Sequence, residues 1–178
     1  MDLIVEEVPQ DIPKESKVKK AFIFFIGFFL VFLMLSYAAI SYGVGDVLAG
    51  FAASSLIENN RALFKNGEIL FLNNSYEGLV ELWHKDEGLE FKACFLGKRE
   101  GEVYFVTSLF QPKMFDRTYR SVAAEDCPPG TLISAHSHPF RRCIASLQDV
   151  MNHHEFKERN PNAIMAILCD ENRINVYP

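Results

Sequence analysis

Apolar positions along the chain fall into two regimes. From Ala21 to Tyr42 they run almost unbroken, AFIFFIGFFLVFLMLSYAAISY, with no charged residue among them. At 1.5 Å per residue those 22 positions make a helix of about 33 Å, enough to cross a hydrocarbon core of about 30 Å. Beyond Gly67 the apolar residues come instead in short runs separated by turn residues. EILFLNN, Glu68 to Asn74, predicts a strand, and SYEGLVELWHKDEG predicts a helix with Leu79, Leu82 and Trp83 on one face and Ser75 as its N-cap. EFKACFLG and EVYFVTSLF, joined by KREG, predict a hairpin. After the polar connection QPKMFDRTYRSVAAEDCPPG, TLISAHSHP reads as a strand and SLQDVMNHHEFKER as a helix. AIMAILCD then reads as a buried strand, and RINVYP as a last strand after a DEN turn.

These elements predict an α/β (α+β) domain, a mixed β-sheet flanked by helices, preceded by one transmembrane helix. The expected organisation is a polar tail over residues 1–20, a transmembrane helix over 21–43, a partly helical connector over 44–66 and a folded domain over 67–178. The tail carries Pro9, Pro13 and mixed charges and reads as disordered.

Charge and cysteine content narrow the picture. A net charge of −5, with no basic patch interleaved with aromatics, argues against nucleic acid as a partner. Lys14, Lys17, Lys19 and Lys20 precede the span, and Arg61 is the first basic residue after it. The positive-inside rule then favours a cytoplasmic N-terminus with the domain outside. The small residues Ser36, Ala38 and Ala39 suit the rival reading, a cleaved signal, although the apolar run exceeds an h-region of about 7–15 residues. Cys94, Cys127, Cys143 and Cys169 contain no CxxC pair, which excludes a thiolate zinc ribbon; one or two disulfides fit an extracytoplasmic domain, with three full pairings open.

The chemistry concentrates in AHSHPFRRCIASLQDV, Ala135 to Val150. In a strand, positions i and i+2 share a face, so His136 and His138 project together and can reach one ion. Asp149, three residues after Ser146, shares a helix face with it and can supply a third ligand. Two histidines and one carboxylate leave a fourth tetrahedral position for water, the pattern of a catalytic zinc site. The same Ser146-Leu-Gln-Asp149 also fits a helix capping box. His153 and His154 are rival ligands, but adjacent helix positions diverge and read as a solvated face. Cys143 lies inside the spacer, where a thiolate could compete for the metal or pair with Cys94 or Cys127.

H-S-H-P followed by six residues and then S-x-x-D resembles the JAMM (MPN+) metalloprotease signature, H-x-H-x(7)-S-x-x-D, and Pro139 is typical of that family. EFKACFLG, Glu90 to Gly97, is similar to the family's glutamate segment E-x-x-G-h-L-h-G, where h is apolar. It departs from that pattern with Ala93 at the first glycine, which leaves Glu87 as a rival for the glutamate. The resemblance extends over about residues 67–178. It implies an MPN/JAMM-like (cytidine-deaminase-like) fold with one catalytic zinc held by His136, His138 and Asp149. It also implies Glu90 as general acid/base and Ser146 as oxyanion partner. The implied activity is hydrolysis of (iso)peptide bonds to ubiquitin-like modifiers, with protein conjugates as partners and the membrane reached through the N-terminal helix. Such conjugates are intracellular, whereas the lysines put the domain outside. Two alternatives are a non-catalytic MPN-type scaffold at a membrane and another zinc amidohydrolase acting on small peptide amides.

Overall fold

The computed structural model describes residues 17–85 and 88–178. Most of the expected tail, with Lys14, and the rival glutamate Glu87 lie outside them. The chain forms two units, one ending at Tyr42 and the other spanning Gly43–Pro178.

The first unit is helix α1, Lys17–Ser41, with no buried residue. At about 37 Å it is long enough, and apolar enough, to cross a bilayer, and it starts four residues before the predicted span. By the same composition it is compatible with a signal sequence.

The second unit begins with α2, Val44–Ala53, followed by two short strands, β1 (Ser55–Glu58) and β2 (Arg61–Phe64). The stretch expected as a connector therefore belongs to the folded domain. Its turn is Asn59-Asn60, both with positive φ (51° and 60°), as a two-residue type I′ hairpin requires. Next come β3 (Gly67–Phe71), α3 (Ser75–Lys85), β4 (Lys92–Glu100) and β5 (Val103–Phe110). The polar connection contains a separate hairpin, β6 (Met114–Arg117) with β7 (Val122–Ala124). β8 (Ile133–Ser137), α4 (Leu147–Arg159), β9 (Ile164–Asp170) and β10 (Arg173–Tyr177) complete the chain.

The sheet is mixed and flanked by helices, as expected, but it is not open. Its strands close into a barrel in the order β1-β10-β9-β8-β4-β5-β3-β2, with β3–β5 and β8–β9 parallel and the other pairs antiparallel. Closure follows from the unexpected hairpin: β2 covers the edge of β3 and β1 covers the edge of β10, which removes both exposed edges.

Alternation along each strand builds the core. Ile69, Phe71, Ala93, Phe95, Tyr104, Val106, Ile133, Ala135, Ile164, Ala166 and Leu168 form one buried cluster, joined by Leu79 of α3. Ser75 does not cap α3 with its side chain. Its buried Oγ donates to the Val106 carbonyl at 3.0 Å and ties the start of the helix to β5. On the other face of the sheet Cys94, Cys127, Phe156 and Ala163 make a second cluster beneath α4. β9 is buried along nearly its whole length, as expected of an apolar run between two layers.

Candidate metal centre

β8 alternates Ile133, Ala135 and Ser137 into the interior with Ser134, His136 and His138 on the opposite face. The two imidazoles therefore emerge side by side, as i and i+2 on a strand must. Their Nε2 atoms lie 3.1 Å apart. Across from them α4 starts at Ser146, an N-cap residue with a complete capping box. The Ser146 amide donates to Asp149 Oδ2 at 2.7 Å, its hydroxyl donates to the same oxygen at 2.6 Å, and the Asp149 amide donates back to Ser146 Oγ at 3.2 Å. The capping box is thus compatible with a carboxylate that faces both imidazoles. The bonds that end the helix also fix the carboxylate, whose Oδ1 sits 3.2 Å from His136 Nε2 and Oδ2 3.4 Å from His138 Nε2.

The donor atoms fit a small divalent ion. Metal–ligand bonds of about 2.0–2.1 Å in a tetrahedron give ligand–ligand edges of about 3.3–3.4 Å; the two imidazole nitrogens lie 3.1 Å apart, and each faces a different oxygen of the Asp149 carboxylate, at 3.2 and 3.4 Å. Among the described residues, His136, His138 and Asp149 form the group with the spacing to hold a metal ion. The tautomer agrees. His138 Nδ1–H donates to the Arg142 carbonyl at 3.0 Å, which leaves the Nε2 lone pair directed at the group. Nitrogen lone pairs and carboxylate oxygens packed this closely need a cation or shared protons between them.

Electrostatics set each member apart. Burial pushes the Asp149 carboxyl up, but hydrogen bonds from His136 and His138 outweigh it and hold the carboxyl well below its ordinary range. Burial lowers His136, with only partial compensation from Asp149. Burial also opposes charge on His138, yet Asp149 and Glu90 together carry its pKa upward. Glu90 lies two residues before β4 and is 5% exposed, with Oε1 3.9 Å from His138 Nε2. Burial first, opposed by His138 and assisted by Asp149, pushes its carboxyl up from 4.5 to about 7. Glu90 thus stays outside the ligand group but beside it.

The site opens into a cleft of about 840 Å³ walled by the β6–β7 hairpin, the start of α4 and the loop after β8. That loop carries Phe140 and Arg141, both left-handed (φ 64° and 59°), an uncommon conformation for such side chains. The exposed Phe140 ring meets Tyr119, which lines the cleft, edge-on, centroids 6.1 Å apart. His153, expected on a solvated face, is half-buried and lines the cleft, while His154 is exposed. Cys143 pairs with Cys169 rather than Cys94 or Cys127, which are bonded to each other, so it supplies no thiolate. Among the described residues no cysteine is free.

Two contributors escaped the sequence reading. Lys92 stands in register opposite His136 and pairs with Asp126 at 3.7 Å. Its place two residues after Glu90 on one strand face was the available signal. The Arg142 contribution comes from a backbone carbonyl, which no residue type reveals. The chain matches no protein-family model, and no curated protein matches it.

Proposed function

We propose that this chain is a membrane-anchored zinc metallopeptidase of the JAMM type, with His136, His138 and Asp149 as ligands. The observation that carries the reading is the spacing of these three donor groups with the buried carboxyl of Glu90 beside them. When bound there, zinc supplies Lewis-acid polarisation and brings the pKa of a coordinated water toward neutrality. Glu90 Oε1 is the proton acceptor and later the donor to the leaving amine, a task suited to a carboxyl that burial has pushed up from its ordinary value. The Ser146 hydroxyl turns its proton from Asp149 to the substrate oxyanion, while the Ser146 amide keeps its hold on the carboxylate. Lys92 and the Arg142 carbonyl are positioning groups.

The bond class is an (iso)peptide amide, as in conjugates of ubiquitin-like modifiers. Two disulfides are the ordinary state of an oxidising compartment, and the lysines before α1 favour the same orientation. Both support a domain outside the cytoplasm, where the substrate is an exported polypeptide rather than a cytoplasmic conjugate.

The test is metal analysis of the purified full chain together with a panel of isopeptide-linked and small peptide amides. One zinc per chain, hydrolysis of the isopeptide or polypeptide substrates and its loss in Glu90→Gln are expected. A protein that takes up no zinc even on titration is the scaffold instead, and turnover of small amides alone points to another zinc amidohydrolase.

A further inference from the structure

α2 has two unlike faces. Gly50 packs so tightly on the domain that an added Cβ would lie 2.7 Å from the Cys143 amide nitrogen. Asp46 accepts from Arg142 Nη2 at 3.2 Å, and Arg142 is the residue whose carbonyl holds His138. Asp46 and Arg142 both line the cleft. At 100° per residue, Val44, Leu48 and Phe51 fall within an arc of about 60° on the side away from Asp46 and Gly50. They are 42%, 66% and 55% exposed, with one face of the Phe51 ring taken by the Arg173 guanidinium, 3.9 Å from the ring centroid.

What covers that face is set by the chain before it. Only Tyr42 and Gly43 separate α1 from α2, and Gly43, in the left-handed region (φ 62°), ends the first helix. At 3.8 Å between consecutive Cα atoms, Val44 lies within about 12 Å of the end of α1 in any arrangement of the two units. Tyr37 and Tyr42 near that end are residues suited to the headgroup level.

We propose that α2 rests on the lipid surface through Val44, Leu48 and Phe51 and thereby holds the metal-binding cleft at the bilayer surface. The occupant of the apolar face is lipid. The proposal rests on α1 being retained as an anchor. Combined with the metallopeptidase reading, it narrows the substrate to polypeptide segments that are themselves tethered at the membrane. Asp46 puts one wall of the cleft about a helix diameter, roughly 10 Å, from the lipid.

The test uses the full chain in phosphatidylcholine vesicles whose acyl chains carry a doxyl quencher. Trp83→Phe removes the native fluorophore, and Leu48→Trp or, as control, Phe110→Trp on β5 introduces a new one. Intact mass verifies that α1 is present. Trp at position 48 is expected to be quenched at least about twofold more strongly than Trp at position 110, as for a side chain seated at the acyl boundary. Equal quenching overturns the proposal. So does a position-48 signal shielded from aqueous iodide but not quenched by lipid in a protein that runs as a dimer, which assigns the face to a second copy. A mass lacking α1 overturns the anchor and the proposal together.

A second arm compares hydrolysis of one peptide, free and lipid-tethered. Wild type is expected to favour the tethered form at least about tenfold, as a raised effective concentration gives, and Leu48→Glu to lose that preference at unchanged zinc content. An unchanged preference in Leu48→Glu overturns the proposal. No hydrolysis of either peptide overturns the metallopeptidase reading, while the quenching result still decides the seating of α2.

Discussion

In the proposed reaction Glu90 is the residue on which the chemistry turns, and its burial has a measurable cost. A carboxyl raised from 4.5 to about 7 keeps a proton in the folded state that the unfolded chain releases. Through that window the folded state binds more protons, so its contribution falls as pH rises, and the cost is complete above pH 7. A shift of this size corresponds to at most about 3 kcal/mol. Glu90→Gln removes the titration. The metal-free variant is therefore expected to match wild type near pH 4.5 and to be the more stable protein at pH 8. Urea unfolding of chelator-treated protein at the two pH values measures this, and comparing both proteins at each pH cancels the titrations that Glu90 does not influence. Activity moves oppositely, with a loss of about 100-fold or more for want of a proton acceptor. A variant that gains stability and keeps zinc while losing turnover is the signature of a catalytic carboxylate. One that loses stability at pH 8 would show Glu90 to be structural.

At the scale of elements, the proposed site asks two tasks of one turn of α4, and two substitutions separate them. Ser146→Ala deletes the cap acceptor and is expected to cost about 1 kcal/mol while zinc stays near one per chain, because His136, His138 and Asp149 remain. Asp149→Ala loses the cap bond to the Ser146 amide and the oxygen ligand together, so zinc binding collapses as well. Metal analysis alongside thermal unfolding of the two variants gives the comparison. Elements like this one were legible in the sequence because period and chemistry agree. Alternation brings His136 and His138 to one face of β8, and the Ser-x-x-Asp spacing both starts a helix and aims a carboxylate. β1 and β2 were not read, although Asn59-Asn60 carries the left-handed turn signal, since four-residue strands show too little alternation to stand out from a connector. The β6–β7 hairpin was hidden for a similar reason. It packs as a separate small sheet, so little burial imprints a pattern on it. Barrel closure was illegible because it depends on β1 meeting β10, a pairing between distant segments that no local pattern records.

On the scale of the whole molecule the two disulfides join what the chain order separates, and they differ in what they hold. Cys94–Cys127 closes a sequence separation of 33 residues and Cys143–Cys169 one of 26. Restricting the unfolded chain over loops of this length is worth about 3–4 kcal/mol each in the chain-entropy account. Only the second bond reaches the loop between His138 and Asp149. Cys143 follows Arg142, whose carbonyl orients the His138 ring, and the Cys143 carbonyl accepts from Asn175 Nδ2 at 2.6 Å on β10. Replacing Cys94 and Cys127 by alanine is therefore expected to lower stability with little effect on zinc affinity, whereas replacing Cys143 and Cys169 lowers both. The loss of affinity should be about tenfold, the lower end for groups that orient a metal ligand without touching the metal. Zinc competition titrations on both double variants, at a temperature where each remains folded, decide it. Equal affinity in the two would mean that Phe140 and Arg141 keep their left-handed backbone without the cross-link, and that the bond serves stability alone. A selective loss at Cys143–Cys169 would tie the metal centre to the redox state of the compartment. The anchored domain would then assemble a competent site only where thiols are oxidised, which is the side of the membrane that the lysines before α1 favour.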